Sequence, residues 1–138
     1  RIDLQDIWFQ NGDVRLAASV GGNPSQPPVI FLHGAGQTRH SWRKAARALV
    51  EQGYYVVSMD HRGHGDSEWS KNRDYSLEAF GRDLIAVAAE FELEDRAPHI
   101  VGASLGGLGA IVAASICSYR RARRQARLPS SKPPAFGL

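Results

Sequence analysis

The sequence predicts an α/β domain: a twisted, mostly parallel sheet of about five strands with helices on both faces. Three observations carry this. Strand-like and helix-like segments alternate in the order β-β-β-α-β-α-β-α. The runs 29–32, 54–59 and 99–103 have the apolar character of strands buried on both faces. A hairpin signal at 7–20 marks the antiparallel edge.

Each element has its own local reason. Ile7-Trp8-Phe9 and Val14 to Val20 flank Asn11-Gly12-Asp13, with Val14, Leu16, Ala18 and Val20 on one side. Gly21 to Pro28 is loop by composition. Val29-Ile30-Phe31-Leu32 is a buried strand that runs into His33-Gly34-Ala35-Gly36. A helix follows from Thr38 or Ser41 to Gln52, with Trp42, Ala45, Ala46 and Leu49 at helical spacing and Gly53 as its stop. Residues 54–59 form the next strand and lead into Asp60-His61-Arg62-Gly63-His64-Gly65-Asp66-Ser67. Ser76 is placed as an N-cap, with Tyr75 and Phe80 as a hydrophobic staple, for a helix to about Phe91. His99-Ile100-Val101 then enters Gly102-Ala103-Ser104-Leu105-Gly106-Gly107, and an Ala/Ile/Val-rich helix starts near Leu105.

Composition narrows the class. With 138 residues, 43% hydrophobic and 22% charged, the chain suits one globular domain and excludes global disorder. No apolar run approaches the roughly 18 residues needed to cross a bilayer. The first residues lack the apolar core of a secretory signal, and Cys117, the single cysteine, can form no internal disulfide. A cytoplasmic setting is therefore expected. The net charge of +3 conceals two unlike parts: residues 1–115 sum to −3, residues 116–138 to +6. The expected division is a folded part, 1–115, and a basic Arg/Ser/Pro-rich tail, 116–138, foreign to the fold. An ending of that composition without acids is what a shifted reading frame in GC-rich DNA tends to produce. A purposeful tail that binds nucleic acid or an anionic surface is the alternative, although no specific nucleic-acid partner is expected.

The chemistry is concentrated at three strand ends. Gly102-Ala103-Ser104-Leu105-Gly106 has the form G-x-S-x-G between strand and helix. A nucleophile on so tight a turn needs small neighbours two residues to either side, which Gly102 and Gly106 supply, and Gly107 lets the helix approach the sheet. The turn lifts the Ser104 hydroxyl clear and puts the Leu105 N–H at a helix N-terminus, where an oxyanion is favoured. His33-Gly34-Ala35-Gly36 ends a neighbouring strand, where the Ala35 N–H can be the second donor. Taken singly, each motif also reads as an ordinary glycine turn, with an incidental serine or a structural His33. In the third segment, His61 and His64 lack the companions of a metal site, so no metal is expected, and Asp60 and Arg62 fix the turn by hydrogen bonds and charge pairing. Dinucleotide and P-loop signatures are absent.

As a set, HGAGQTRHSW at 33–42, DHRGHGDS at 60–67 and VGASLGG at 101–107 resemble the α/β-hydrolase superfamily over about residues 7–115. The feel is that of the epoxide hydrolase-like or cofactor-free haloperoxidase-like branch. Epoxide hydrolases of this fold use an aspartate nucleophile, so Ser104 implies the ester-hydrolase or perhydrolase side. The resemblance implies a small-molecule substrate and no cofactor. It implies Ser104 as nucleophile, Leu105 and Ala35 as oxyanion-hole donors, and a pocket near His33, Gly34, Gly36, Gln37 and Trp42. Substrate class and oligomeric state stay open. The family's triad continues with an acid and a histidine, yet no Asp, Glu or His follows Ser104. The chain is thus expected to be the fold's N-terminal half, cut after the elbow helix, inactive or nearly so, and prone to associate through its last strand. A ligand-binding member without turnover is the competing reading.

Overall fold

A computed structural model describes residues 3–126. Arg1, Ile2 and residues 127–138, the latter half of the expected tail, lie outside the described residues. The strands are β1 (Gln5–Asn11), β2 (Val14–Gly21), β3 (Pro28–Leu32), β4 (Tyr55–Met59) and β5 (His99–Gly102), and the helices α1 (Arg43–Glu51), α2 (Leu77–Glu90) and α3 (Leu105–Ala126). One sheet holds all five strands in the order β1-β2-β4-β3-β5. β1 pairs antiparallel with β2, and β2 antiparallel with β4, whereas β3 runs parallel to both β4 and β5. Four strands therefore point the same way and β2 alone opposes them, the mostly parallel sheet with an antiparallel hairpin edge that the sequence predicts.

Alternation along β3 separates two cores. Ile30 and Leu32, level with Val57 and Met59 of β4, face Leu84 and Val87 of α2 and Ala113 of α3. Val29 and Phe31 face Ala46 and Val50 of α1 on the other side. All five residues of β3 and of β4 are buried, which explains the continuous apolar run of β3; in β4 the one polar residue, Ser58, donates its hydroxyl to the Arg39 carbonyl at 3.0 Å.

The helix starts follow their local chemistry. Thr38 caps a short 3₁₀ turn, Arg39–Trp42, that leads into α1. At α2 the Ser76 side chain accepts the Ala79 N–H at 3.1 Å, and Tyr75 meets Phe80 with ring centroids 6.4 Å apart. These are the predicted cap and staple. α3 continues without a break from Leu105 to Ala126, through the expected boundary at 115/116. No helix of the described residues is long and apolar enough to cross a membrane.

The two margins of the sheet differ. β1 presents Gln5, Asp6, Trp8 and Gln10 to solvent. Among the described residues β5 pairs only with β3 and leaves Ile100 and Val101 37% and 36% exposed, and Leu108 and Ile111 of α3 are exposed as well. A depression of about 460 Å³ opens at this margin, floored by Ile30, Leu84, Ile100 and Ala113. It is uncovered core and does not include Ser104.

Candidate active site

The parallel strands β3, β4 and β5 end on one edge of the sheet, and the three sequence motifs follow those ends. This is where open α/β sheets bind ligands. Ser104 stands between β5 and α3 with φ +52°, the left-handed region that a non-glycine residue rarely occupies, and it is exposed. The turn is held by Ala103 N–H to Leu32 O at 3.1 Å and Gly106 N–H to Ala103 O at 3.0 Å. Its glycines leave no room for substituents. A Cβ on Gly102 would stand 2.7 Å from the Gly106 carbonyl carbon and the Gly107 nitrogen. A Cβ on Gly106 would collide with the Leu32 carbonyl oxygen and stand 2.7 Å from the Leu32 Cβ. The close helix approach expected at Gly107 belongs to Gly106: a Cβ on Gly107 would meet only the Gly102 oxygen, at 3.8 Å. The reason is direction. Gly106 faces β3, whereas the side-chain side of the Gly107 α-carbon meets only an ordinary contact.

The loop after β3 lies against this turn, since a Cβ on Gly34 would stand 3.5 Å from the Ala103 carbonyl oxygen. Its N–H groups can be accounted for one by one. Gly34 N–H donates to Gln37 Oε1, Gly36 N–H to His64 Nε2, and Gln37 N–H to the Gly34 carbonyl, each at 3.1 Å. The Ala35 N–H has no acceptor among the described residues. Likewise the N–H groups of Ser104 and Leu105, at the start of α3, have no backbone acceptor among them. Unpaired donors thus stand on both of the abutting loops.

The other expected pocket residues are placed differently. Gln37 turns back onto Gly34. Trp42 packs on the α1-side core, its ring centroid 5.1 Å from that of Phe31. His33 is fully buried: its Nδ1–H donates to the Gly34 carbonyl at 2.7 Å and its Nε2 accepts the His61 N–H at 3.0 Å. The His61 Nε2–H donates to the His33 carbonyl at 2.9 Å. His64 completes a cluster in which the His33 ring centroid lies 4.4 Å from His61 and 5.0 Å from His64. With both ring nitrogens engaged, His33 has no lone pair to offer Ser104. His99 begins β5, at the opposite end of the strand from Ser104.

Two buried ion pairs escape a reading of the sequence. The Arg39 guanidinium, its side chain 1% exposed, pairs with Asp60 and with Asp66 at 2.9 Å, and its Nε–H donates to Ser19 Oγ at 2.9 Å. Burial opposes the charge, but the Asp66 and Asp60 carboxylates outweigh it and hold the guanidinium above its ordinary value. Asp60 also accepts the Arg39 N–H at 2.6 Å and the Asp66 N–H at 2.9 Å, so it ties the loop after β3 to the loop after β4. Arg62 meets Asp83 of α2 in a two-pronged contact, at 2.6 and 2.8 Å. The predicted turn-fixing roles of Asp60 and Arg62 take this form. Their partners lie 21 residues away, and only the polar residue Asp83 interrupting the apolar stripe of α2 hints at one of them.

Burial, followed by the neighbouring His33 charge, pushes the His61 pKa down to about 4, and burial lowers that of His33 as well. The unfolded chain, with histidine near 6.5, takes up protons that the folded protein refuses. Stability should therefore be constant above about pH 6.5 and fall between 6.5 and 4, by about 3 kcal/mol for His61 alone. Urea midpoints at pH 7.5 and 4.5 check this. Equal midpoints would reject the buried, neutral pair.

An α/β sheet with a strained, exposed hydroxyl on its carboxyl edge defines the class. The sequence signature of the alpha/beta hydrolase fold matches residues 27–116, and the chain belongs to that family. It is 41% identical over 87 residues to an esterase of Mycobacterium tuberculosis, covering 63% of this chain and 28% of the relative. It is 31% identical over 110 residues to a 3-oxoadipate enol-lactonase of Acinetobacter baylyi, covering 79% and 40%. A thioesterase domain from the curacin biosynthetic pathway superposes with a TM-score of 0.74 at 30% identity, covering 82% of this chain and 42% of that one. The chain thus spans between about a quarter and two fifths of the length of these relatives.

Proposed function

We propose that this chain carries the nucleophile half of a serine hydrolase site for small ester-like substrates. The observation that carries the reading is Ser104 held at φ +52° and exposed, between two glycines that tolerate no side chain. In the proposed step the Ser104 Oγ attacks the ester carbonyl carbon as its proton passes to water. The carbonyl oxygen becomes an oxyanion facing the Ala35 and Leu105 N–H groups. Collapse of that intermediate expels the alkoxide, which takes a proton back from water to leave as the alcohol, and a further water cleaves the remaining acyl-serine to the acid and free Ser104. The esterase, lactonase and thioesterase relatives support carbonyl chemistry, and a serine rather than an aspartate at position 104 supports an acyl rather than an alkyl intermediate.

The side-chain proton acceptor is the missing part. No Asp, Glu or His follows Ser104, both ring nitrogens of His33 and of His64 are engaged, and the free ring nitrogen of His61, Nδ1, is buried. Residues 1–138 alone are expected to turn over esters poorly, keeping at most the residual acceleration, about 10³–10⁴-fold over water, that an oxyanion hole and binding supply in triad deletions elsewhere. The same absence favours the second reading, a ligand-binding member without turnover. A fluorophosphonate probe separates the two. Slow labelling that maps to Ser104 and vanishes in Ser104→Ala is the expected result. Labelling that survives Ser104→Ala, or none at millimolar probe over hours, would remove the serine-nucleophile reading.

A further inference from the structure

We infer that His64 is a positioning residue for the oxyanion donor: its Nε2 lone pair fixes the loop that presents the Ala35 N–H. The inference rests on the Ala35 donor role just proposed.

The loop is a turn from Gly34 to Gln37, closed by the Gln37 N–H on the Gly34 carbonyl, with Gly36 at φ +75°. A positive φ at the third position is the mark of a type II turn, and reversing its central peptide converts such a turn to type I. Ala35 and Gly36 are exposed, so packing does not choose between the two. Hydrogen bonds must.

Two peptide planes meet at Ala35. In the first, the Gly34 carbonyl is held by the His33 Nδ1–H at 2.7 Å and by the Gln37 N–H. A trans peptide points its N–H opposite its carbonyl, so this plane directs the Ala35 N–H away from the buried His33. In the second, the Gly36 N–H is held by His64 Nε2 at 3.1 Å. The His64 Nδ1–H donates to the Arg62 carbonyl at 3.0 Å, which leaves Nε2 as the acceptor. Reversing the second plane would turn the Ala35 carbonyl against that lone pair. His64 thereby selects one orientation of the second plane while His33 and Gln37 hold the first, so the turn that presents the Ala35 N–H is anchored on both sides of Ala35. A preorganised donor needs this, because an oxyanion donor is effective only when it is already in place.

The test uses residues 1–138 and four proteins: the parent, His64→Ala, His64→Gln and His64→Lys. Glutamine places an acceptor oxygen near the position of Nε2, whereas lysine places only donors there. Labelling of Ser104 by the fluorophosphonate should slow about tenfold in His64→Ala and His64→Lys, the weight of one hydrogen bond, and stay within about threefold of the parent in His64→Gln. Thermal midpoints measured alongside separate this pattern from loss of fold, since a merely structural role would not follow acceptor capacity. Amide hydrogen exchange gives a second readout: the Gly36 N–H should be protected in the parent and in His64→Gln, and exchange faster in His64→Ala. Unchanged labelling in His64→Ala overturns the inference, as does an Nε2-protonated His64 tautomer seen by nitrogen NMR at neutral pH. If the parent itself is not labelled, the serine reading has failed. Gly36 exchange then decides alone: equal rates in parent and His64→Ala overturn the lock, and faster exchange in His64→Ala supports it.

Discussion

Asp60→Ala is expected to cost about 3–5 kcal/mol, a large part of the stability of a domain this size. Asp60 is fully buried and serves three donors from two loops: the Arg39 guanidinium, the Arg39 N–H and the Asp66 N–H. Removing the carboxylate leaves the Arg39 charge inside the protein. Its other acids, Asp66 and Asp6, are about half exposed, so they are screened by water and replace little. The loss also unties the loops after β3 and β4, which carry Ala35 and His64. Asp60→Asn keeps an acceptor but not the charge and should fall between the two. Urea unfolding measures all three proteins. A loss below 1 kcal/mol in Asp60→Ala would mean that Arg39 finds water or another partner.

Gly106→Ala should cost about 3 kcal/mol or more. The added carbon collides with the Leu32 carbonyl oxygen, which is itself engaged by the Ala103 N–H. The obstructing atoms are backbone of a buried strand, so relief requires α3 to lift from β3 and the elbow to open. Gly107→Ala is the control. Its nearest contact would be ordinary, at 3.8 Å, and alanine favours a helix by up to about 1 kcal/mol, so stability should hold or rise. Thermal midpoints and soluble yield of the two variants suffice. Equal behaviour would refute the assignment of the close contact to Gly106.

What could be read from the sequence, and what could not, divides along the range of the interaction. β3 and β4 are legible because burial on both faces demands predominantly apolar runs. The Ser76 cap, the Tyr75–Phe80 staple and the Ser104 turn are legible because their parts lie within a few residues of one another. β1 extends to Gln5 and Asn11, beyond the expected Ile7–Phe9, because an edge strand can carry polar residues. The last turns of α3, rich in arginine, have no apolar periodicity to announce them. The Arg39–Asp60 and Arg62–Asp83 pairs and the His64–Gly36 bond join residues 21 to 28 positions apart. Charged residue types suggest solvent in a sequence, and only the fold brings the counter-charge that lets them be buried. The same holds for Gly106 against Gly107, where two equal letters differ only in which way a hydrogen points.

The unequal margins of the sheet give it a direction of growth. At β1 a newcomer would cover Trp8 but dehydrate Gln5, Asp6 and Gln10, whereas at β5 it would cover Ile100 and Val101. Addition at β5 is therefore the downhill end of the sheet, whether the added strand is covalently continuous or supplied in trans. That margin also leads directly into Ser104. A strand docking there would shift the serine turn from the rim of the sheet toward its middle and enclose its open flank. Extending the sheet at β5 would thus also reshape the surroundings of Ser104.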